Sequence, residues 1–572
     1  MKNILVIGII LIASIILLAP LAKPGLHTIH DDQQVARLFV FDEALKSGQF
    51  PVRYVDKLGF GFGYPLFIFY PPLVYFVGET VHLIGFGFVD SIKIVFFLSI
   101  FLSGVAMYIL VKDIWGKLEG LVGAIFYIFA PYRAIDVYVR GSLAEAFSFV
   151  WLPLILWSFY RMQKEKNIKF TLFSSIFLSL LMITHNLIFM PFMLILIIYL
   201  SSLLIFTKNK KYFLFNSIVA FVFASFLSAF FWIPAIIEKK YTIVDDQLIV
   251  NLANYAIHFV YPQQLWNWQW GFGGSAAGLM DGLSFKIGKL HVVLSVLTVI
   301  FVVFKSYLAK LKVRETSLTL TFFILFVFAA FMTTFYSKFI WDIAKPLAYL
   351  QFPWRFLTFT ALFSSVLVGS LIYNLKLSFV KIIASVVLLV LLVVSNYKLF
   401  KPQFWRSDFT DLAATSTELI SWDVSNSSYE YVPKGVFLVK GELGTNVIDI
   451  GKSELPKEKL ELISGNANIT KKVISPDELL YTIDAKDKSS IRANVFDFPI
   501  WQLTINGKQQ KYSSDNKLKY LTFDVPAGIS NVQLKFVNTP VRRYANAVTL
   551  VSVFLLFLFF FSKWKKLSWI SN

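Results

Sequence analysis

Long apolar stretches separated by short basic clusters fill the first 399 residues, and the pattern changes after residue 400. The stretch at 4–22, behind Lys2, is continuous and long enough to cross ~30 Å of hydrocarbon. Others lie at about 92–111, 119–131, 145–160, 170–186, 188–206, 213–236, 290–309, 317–336, 354–374, 379–399 and 544–562. Together they predict about twelve spans, of which 119–131 is short. The run at 65–87 is also apolar, but Pro65, Pro71 and Pro72 break a helix near its start. Laid along the outer surface instead of across, it leaves every basic cluster on one side: Lys112 with Lys117, Arg161–Lys169, Lys208–Lys211, Lys305–Arg314, Lys376 with Lys381, and Lys563–Lys566. Lys and Arg concentrate in cytoplasmic loops, so both termini are expected in the cytoplasm. The first stretch is too long, and lacks a small-residue cleavage site, for a signal peptide; it is read as an uncleaved helix.

This threading leaves four external segments: about 23–91, Pro131–Ala144, about 237–289, and a connection ending in Gln351-Phe352-Pro353-Trp354-Arg355. In 400–541 apolar residues alternate with polar ones, as in Ile491–Phe496, Trp501–Ile505 and Val532–Phe536, which is the period of half-buried strands. Asn506-Gly507 between two such runs predicts a type I′ hairpin. The expected fold is an all-α transmembrane bundle over 1–399 and a β-sandwich of about seven strands over 400–541 on the outer face. A final helix and basic tail follow at 542–572.

Composition agrees with a polytopic membrane protein. The chain of 572 residues is 57% hydrophobic and 17% aromatic, with a mean hydropathy of +0.65, more apolar surface than a soluble core can hide. The net charge of +19 sits between apolar segments, so it marks topology and not nucleic-acid binding. There is no cysteine, which excludes disulfides, thiolate catalysis and Cys–zinc sites.

Charged residues beside low dielectric need a use. Asp31 and Asp32, after His30, either start and cap a helix or supply a general base to a hydroxyl nucleophile. His30 is a possible metal ligand with Asp31, or surface decoration. Arg133, Arg140 and Arg355 either snorkel to headgroups or hold a phosphate by their planar forks. Glu145 at a helix start gains from the helix dipole in any case. His185 satisfies backbone at a turn or assists a substrate. Trp266, Trp268 and Trp270 form an interfacial belt or a sugar-stacking platform.

The acidic pair, interfacial helix, Gly48 and Pro71-Pro72-Leu73 resemble the first external loop of GT-C glycosyltransferases, such as protein O-mannosyltransferases and aminoarabinose transferases. More closely, Gly59-Phe-Gly-Phe-Gly-Tyr-Pro-Leu-Phe-Ile-Phe-Tyr-Pro-Pro-Leu73, Ala130-Pro-Tyr-Arg133 with Tyr138-Val-Arg-Gly-Ser-Leu-Ala-Glu145, and Gln351–Arg355 resemble the 6-pyruvoyl-tetrahydropterin-synthase-related membrane proteins. Phe498-Pro499-Ile500-Trp501, Asn506-Gly507-Lys508 and Val525-Pro526-Ala527-Gly528 are similar to the C-terminal part of YfhO-like membrane proteins. The synthase chemistry itself is not expected, since it needs a His-based zinc site and the six histidines (27, 30, 82, 185, 258, 291) are scattered.

The resemblance implies an inverting sugar transfer from a polyprenyl-phosphate donor to a glycan, lipid or protein acceptor at the outer face of the plasma membrane. It maps the base or metal partner onto Asp31 and then Asp32, with a divalent cation as a possible cofactor. Arg140, Arg355 and Arg133 are then the phosphate candidates. Two other classes also fit a polytopic chain. A lipid or polysaccharide transporter should show charged or broken helices at the midplane of related halves, and an envelope-assembly scaffold would leave the first-loop acids unused.

Overall fold

The computed structural model describes residues 2–250, 254–308, 313–441 and 446–568; Lys310 and Lys312 of the basic cluster at 305–314 lie outside them. Among the described residues, ten helices are long and apolar enough to cross a membrane: Asn3–Ala22, Phe88–Trp115, Leu143–Lys164, Asn186–Ile205, Lys210–Leu227, Lys289–Tyr307, Val313–Thr333, Pro353–Asn374, Ser378–Leu399 and Pro540–Phe560. An eleventh results if Lys117–Ile128 and Pro131–Arg140 count as a single span bent by 46°. The chain is a multi-pass membrane protein, an all-α bundle with a C-terminal β region.

Ten or eleven spans replace the twelve expected, for local reasons. The stretch at 119–131 ends at Ile128 because Pro131 lacks an N–H and opens a new helix. The stretch at 170–186 forms Ile168–Thr184, 17 residues, or ~26 Å at 1.5 Å per residue, at the short limit for a span and so outside the ten. The 213–236 stretch is divided at Ser228, whose hydroxyl donates back to Ala224 O at 2.8 Å. The 65–87 run does not cross: it forms Leu66–Phe69 and Leu73–Leu83, the longer only 11 residues, or ~16 Å.

Leu143–Lys164 and Pro353–Asn374 are the most enclosed of the spans, while Ser378–Leu399 and Pro540–Phe560 present most of their surface outward. Small residues bring the inner helices close. A Cβ on Gly369 would lie 2.6 Å from Val111 Cγ1, so only glycine permits that crossing.

The β region holds a five-stranded antiparallel sheet in the order 508–510, 501–505, 528–536, 478–485, 467–475, and a three-stranded one in the order 520–525, 489–496, 460–464. Their buried faces share an apolar cluster that includes Ile483, Ile491, Leu503, Leu521 and Leu534. Asn506 and Gly507 both take positive φ, 51° and 77°, as a type I′ turn demands.

The first loop completes this core. Phe62 stacks on Phe496 with centroids 5.0 Å apart, its carbonyl accepts from Phe496 N at 2.9 Å, and Tyr54 packs on Trp501 and Phe536 at 5.3 and 4.7 Å. Leu26–His27 pairs with Trp405–Arg406 as a short antiparallel ribbon.

A buried polar latch then ties loop, bundle and β region together. Arg53 donates to Asn538 Oδ1 at 2.6 Å, Asn546 Oδ1 at 2.7 Å and Phe230 O at 3.0 Å. Beside it Arg542 pairs with Glu238 at 2.8 Å and donates to Pro499 O at 2.6 Å.

Candidate functional site

The segment Pro131–Arg140 carries the first pieces of the site. After a turn of α-helix, Ile135–Arg140 widens to a π-helix, and Gly141 closes it at φ 67°. Ile29 of the first loop presses on Gly141, where a Cβ would come within 2.5 Å of Ile29 Cδ1. Positive φ and this close approach both require glycine. Such a wide turn is frequent at functional sites; here it ends in Arg140, immediately before the helix bearing Glu145.

Glu145 is fully buried and sits at the centre of a polar cluster. Tyr132 Oη donates to its Oε1 at 2.6 Å and Thr358 Oγ1 at 3.3 Å. Arg140 Nη1 donates to its Oε2 at 2.8 Å, and Arg355 Nε lies 3.4 Å from the same oxygen. Arg140 Nη1 also reaches Asp136 Oδ1 at 2.9 Å and Tyr132 Oη at 3.2 Å, with the guanidinium 4.6 Å over the Trp354 ring. Arg355 donates Nη1 to Leu350 O at 2.9 Å and stacks on Phe352. Among the described residues the Nη2 of both arginines makes no hydrogen bond, so each keeps donors for a ligand.

The first loop lies across this cluster. Asp31 N donates to Arg140 O at 2.7 Å and His30 N to Val139 O at 3.0 Å. His30 Nε2 donates to Phe272 O at 2.8 Å, which fixes the 254–289 segment to the same place. The Asp31 carboxylate is half-buried and, among the described residues, accepts no hydrogen bond; its charge acts on both Arg140 and Arg355. All four segments singled out from the sequence therefore meet around Asp31, Arg140, Glu145 and Arg355.

Other candidates are placed elsewhere. Neither aspartate caps the following helix, whose N-cap Gln33 makes no side-chain bond. Asp32 is exposed and lines a separate cavity of about 70 Å3 with His27 and Arg406, which neither Arg140 nor Arg355 lines. Burial lowers the His27 imidazole there to about 4, so it is neutral. Arg133 is wholly buried and clasps the bundle through Ala146 O, Ser99 O and Ser103 Oγ, stacked on Phe149 at 4.1 Å; it does not reach the cluster. His185 Nδ1 accepts from Ile188 N at 3.0 Å and so caps its helix, with Glu145 and Arg355 as charged neighbours.

Trp266, Trp268 and Trp270 do not form one platform: Trp266 is exposed, Trp268 donates to Asp281 O at 3.3 Å, and Trp270 lies edge-on to Phe272. His30, engaged with Phe272, has no acid partner in a ligand set: among the described residues no three His, Asp or Glu side chains are grouped to hold a metal ion. Tyr132, Asp136 and Thr358 were not foreseen. The spacing Asp136–Arg140–Glu145 held a signal for Asp136; neutral hydroxyls within apolar helices hold none.

A family model described as the 6-pyruvoyl-tetrahydropterin synthase related domain, a membrane protein, matches residues 67–401. The match takes in Arg140, Glu145 and Arg355 and leaves Asp31 outside it. No curated protein matches the chain in sequence. Among solved structures the chain is similar to the Archaeoglobus fulgidus oligosaccharyltransferase in its apo form, with 11% identity and a TM-score of 0.45 over 72% of this chain and 56% of that one. It is likewise similar to the archaeal oligosaccharyltransferase from the same organism in complex with an inhibitory peptide and a dolichol-phosphate, at 12% identity and a TM-score of 0.45 over the same shares, 72% and 56%. The chain thus spans little more than half the length of the structures it matches.

Proposed function

This chain belongs to the 6-pyruvoyl-tetrahydropterin-synthase-related membrane proteins, and on that premise we propose that it is a GT-C-type membrane glycosyltransferase. It moves a sugar from a polyprenyl-phosphate donor to an acceptor hydroxyl on the external face. The observation that carries this reading is the Asp31 carboxylate, which among the described residues accepts no hydrogen bond, pinned by its own backbone N–H to Arg140 O at 2.7 Å beside two arginines whose Nη2 groups are likewise unengaged among those residues.

The lipid phosphate docks on Arg140 and Arg355, already oriented by Glu145, Tyr132 and the Trp354 ring. The acceptor oxygen attacks the anomeric carbon from the face opposite the phosphate, and its proton passes to Asp31. The bond between anomeric carbon and phosphate oxygen breaks, and polyprenyl phosphate departs with the electron pair, its charge met by the arginine forks. Phosphate is a good leaving group, so no general acid is required. Glu145, held by hydrogen bonds from Tyr132, Arg140 and Thr358 and facing the charge of Arg355, orients and does not take the proton. No step is routed through a divalent cation, since no suitable ligand group is present among the described residues.

The test is mass spectrometry of surface glycans in a deletion strain complemented with full-length variants. Asp31→Asn keeps shape but removes the base, and is expected to abolish the product while expression and thermal stability stay at wild-type levels. A wild-type glycan profile from Asp31→Asn would end this assignment, and one from the Asp31→Asn/Asp32→Asn double variant would remove the first loop from the chemistry.

A further inference from the structure

We propose that the end of the bundle opposite the Asp31 cluster holds a specific site for the phosphate of an anionic phospholipid. Leu143–Lys164 starts beside Glu145 and ends 19 residues later at Lys164, ~28 Å away at 1.5 Å per residue, about the thickness of the hydrocarbon core. There a cavity of about 240 Å3 opens among the ends of four membrane helices and is lined by Lys164, Lys166, Lys208 and Arg314. Against a water's share of ~30 Å3 this is room for a whole headgroup.

Three features select an oxyanion. First, the cations have no countercharge. Among the described residues Lys164, Lys166 and Lys208 form no ion pair, and Arg314 gives Nη2 to the neutral Gln163 at 2.6 Å. Of the two acids adjacent to these cations in sequence, Glu165 is held by Arg161 at 2.5 Å and Glu315 accepts from Tyr373 Oη at 3.2 Å. Like charges around one cavity repel, and a phosphate relieves that repulsion. Second, Lys210–Leu227 begins at the cavity, where Asn209 makes no side-chain cap bond. Its first-turn N–H groups and the positive end of its dipole favour an anion. Third, the site continues into lipid. Phe206 and Phe213 line its wall, and Ile205, Leu214 and Ile218 on the same two helices are 65%, 52% and 55% exposed. A headgroup held in the cavity would lay its acyl chains on that surface, in line with the bilayer. Basic pockets between membrane helices are the usual seat of anionic headgroups.

The experiment is native mass spectrometry of the full-length protein titrated with phosphatidylglycerol or phosphatidylcholine, beside thermal melts in inorganic phosphate. Phosphatidylglycerol should be retained at least ~10-fold more tightly than phosphatidylcholine. Lys166→Gln/Lys208→Gln/Arg314→Gln should weaken that retention about 100-fold, given the strength of a basic side chain for an anionic surface. Lys117→Gln, an exposed lysine at the same end, should leave it unchanged. Equal retention of the two lipids by the wild type overturns the proposal, as does a triple variant that keeps the preference. Millimolar inorganic phosphate that displaces phosphatidylglycerol and stabilises the protein equally would assign the cavity to a free anion instead. Where the triple variant fails to fold, the wild-type comparison of the two lipids decides.

Discussion

Arg355 meets three demands at once: Nη1 serves Leu350 O, Nε faces Glu145 and Nη2 is left over. A lysine carries its charge on one mobile ammonium and cannot hold that geometry. Arg355→Lys is therefore expected to raise KM for the lipid-linked donor by about 10-fold or more with expression intact; an unchanged KM would show that a point charge suffices. Glu79 makes a different prediction. It is 2% exposed, and among the described residues neither of its oxygens has a hydrogen-bond partner. Burial first, and the charge of Asp42 second, push its carboxyl up to about 7. Asp42 is itself held by Lys46 at 2.9 Å. With the folded pKa above the unfolded one, the native state binds the extra proton between about 4.5 and about 7. Stability from this group therefore falls as pH rises through that window and levels off above it. Thermal melts between pH 5 and 8 should show this decline in the wild type and lose it in Glu79→Gln; parallel curves would refute it. At this scale the sequence was legible where a charge stood beside apolar residues, as at Asp31, Arg140 and Arg355. Arg133 looked the same and is a bundle clasp, because a sequence does not say which face of a helix a guanidinium leaves from.

Among the elements, the strands were the plainest to read, since their alternation has a period of two and burial in 478–485 follows it residue by residue. Trp501, 2% exposed and packed on Tyr54 and Phe536, anchors the strand before the Asn506-Gly507 turn. Trp501→Ala should cost ~3–5 kcal/mol in chemical denaturation of the full chain, and a loss near zero would place the ring outside the core. What alternation could not reveal is that Tyr54 and Phe62, some four hundred residues earlier, belong to the same core. Aromatic residues in a glycine-rich loop carry no period that points to a distant sheet. The π-turn at Ile135–Arg140 was hidden for a related reason: its neighbours Ile29 and Glu145, against Gly141 and Arg140, are not marked by any period in the sequence.

For the whole molecule, apolar length read the bundle correctly in kind and one or two spans too many in number, because length alone does not register a bend at Pro131 or a helix that stops at 17 residues. Sidedness is open to a direct check in this cysteine-free chain. Phe88 N is held by Asp411 at 2.9 Å, so Phe88–Trp115 runs from the β region to the far end, where Lys117 is exposed. A cysteine at Ser464, exposed in the β region, should react with an impermeant thiol reagent on intact cells, and one at Lys117 only after permeabilisation. The reverse pattern would turn the molecule over and put the Asp31 cluster inside. The latch at Arg53 adds a dimension that neither end of the chain reveals alone. Its partners Asn538 and Asn546 follow 485 and 493 residues later. At ~5–20 residues per second of synthesis, this arginine waits roughly 25–100 s for them. Until they arrive Arg53 has only Phe230 O of its three partners, and the tie between the first loop and the β region stays open. The ribosome has nearly finished before the latch closes, so the first loop is fastened to the β region only at the end of synthesis.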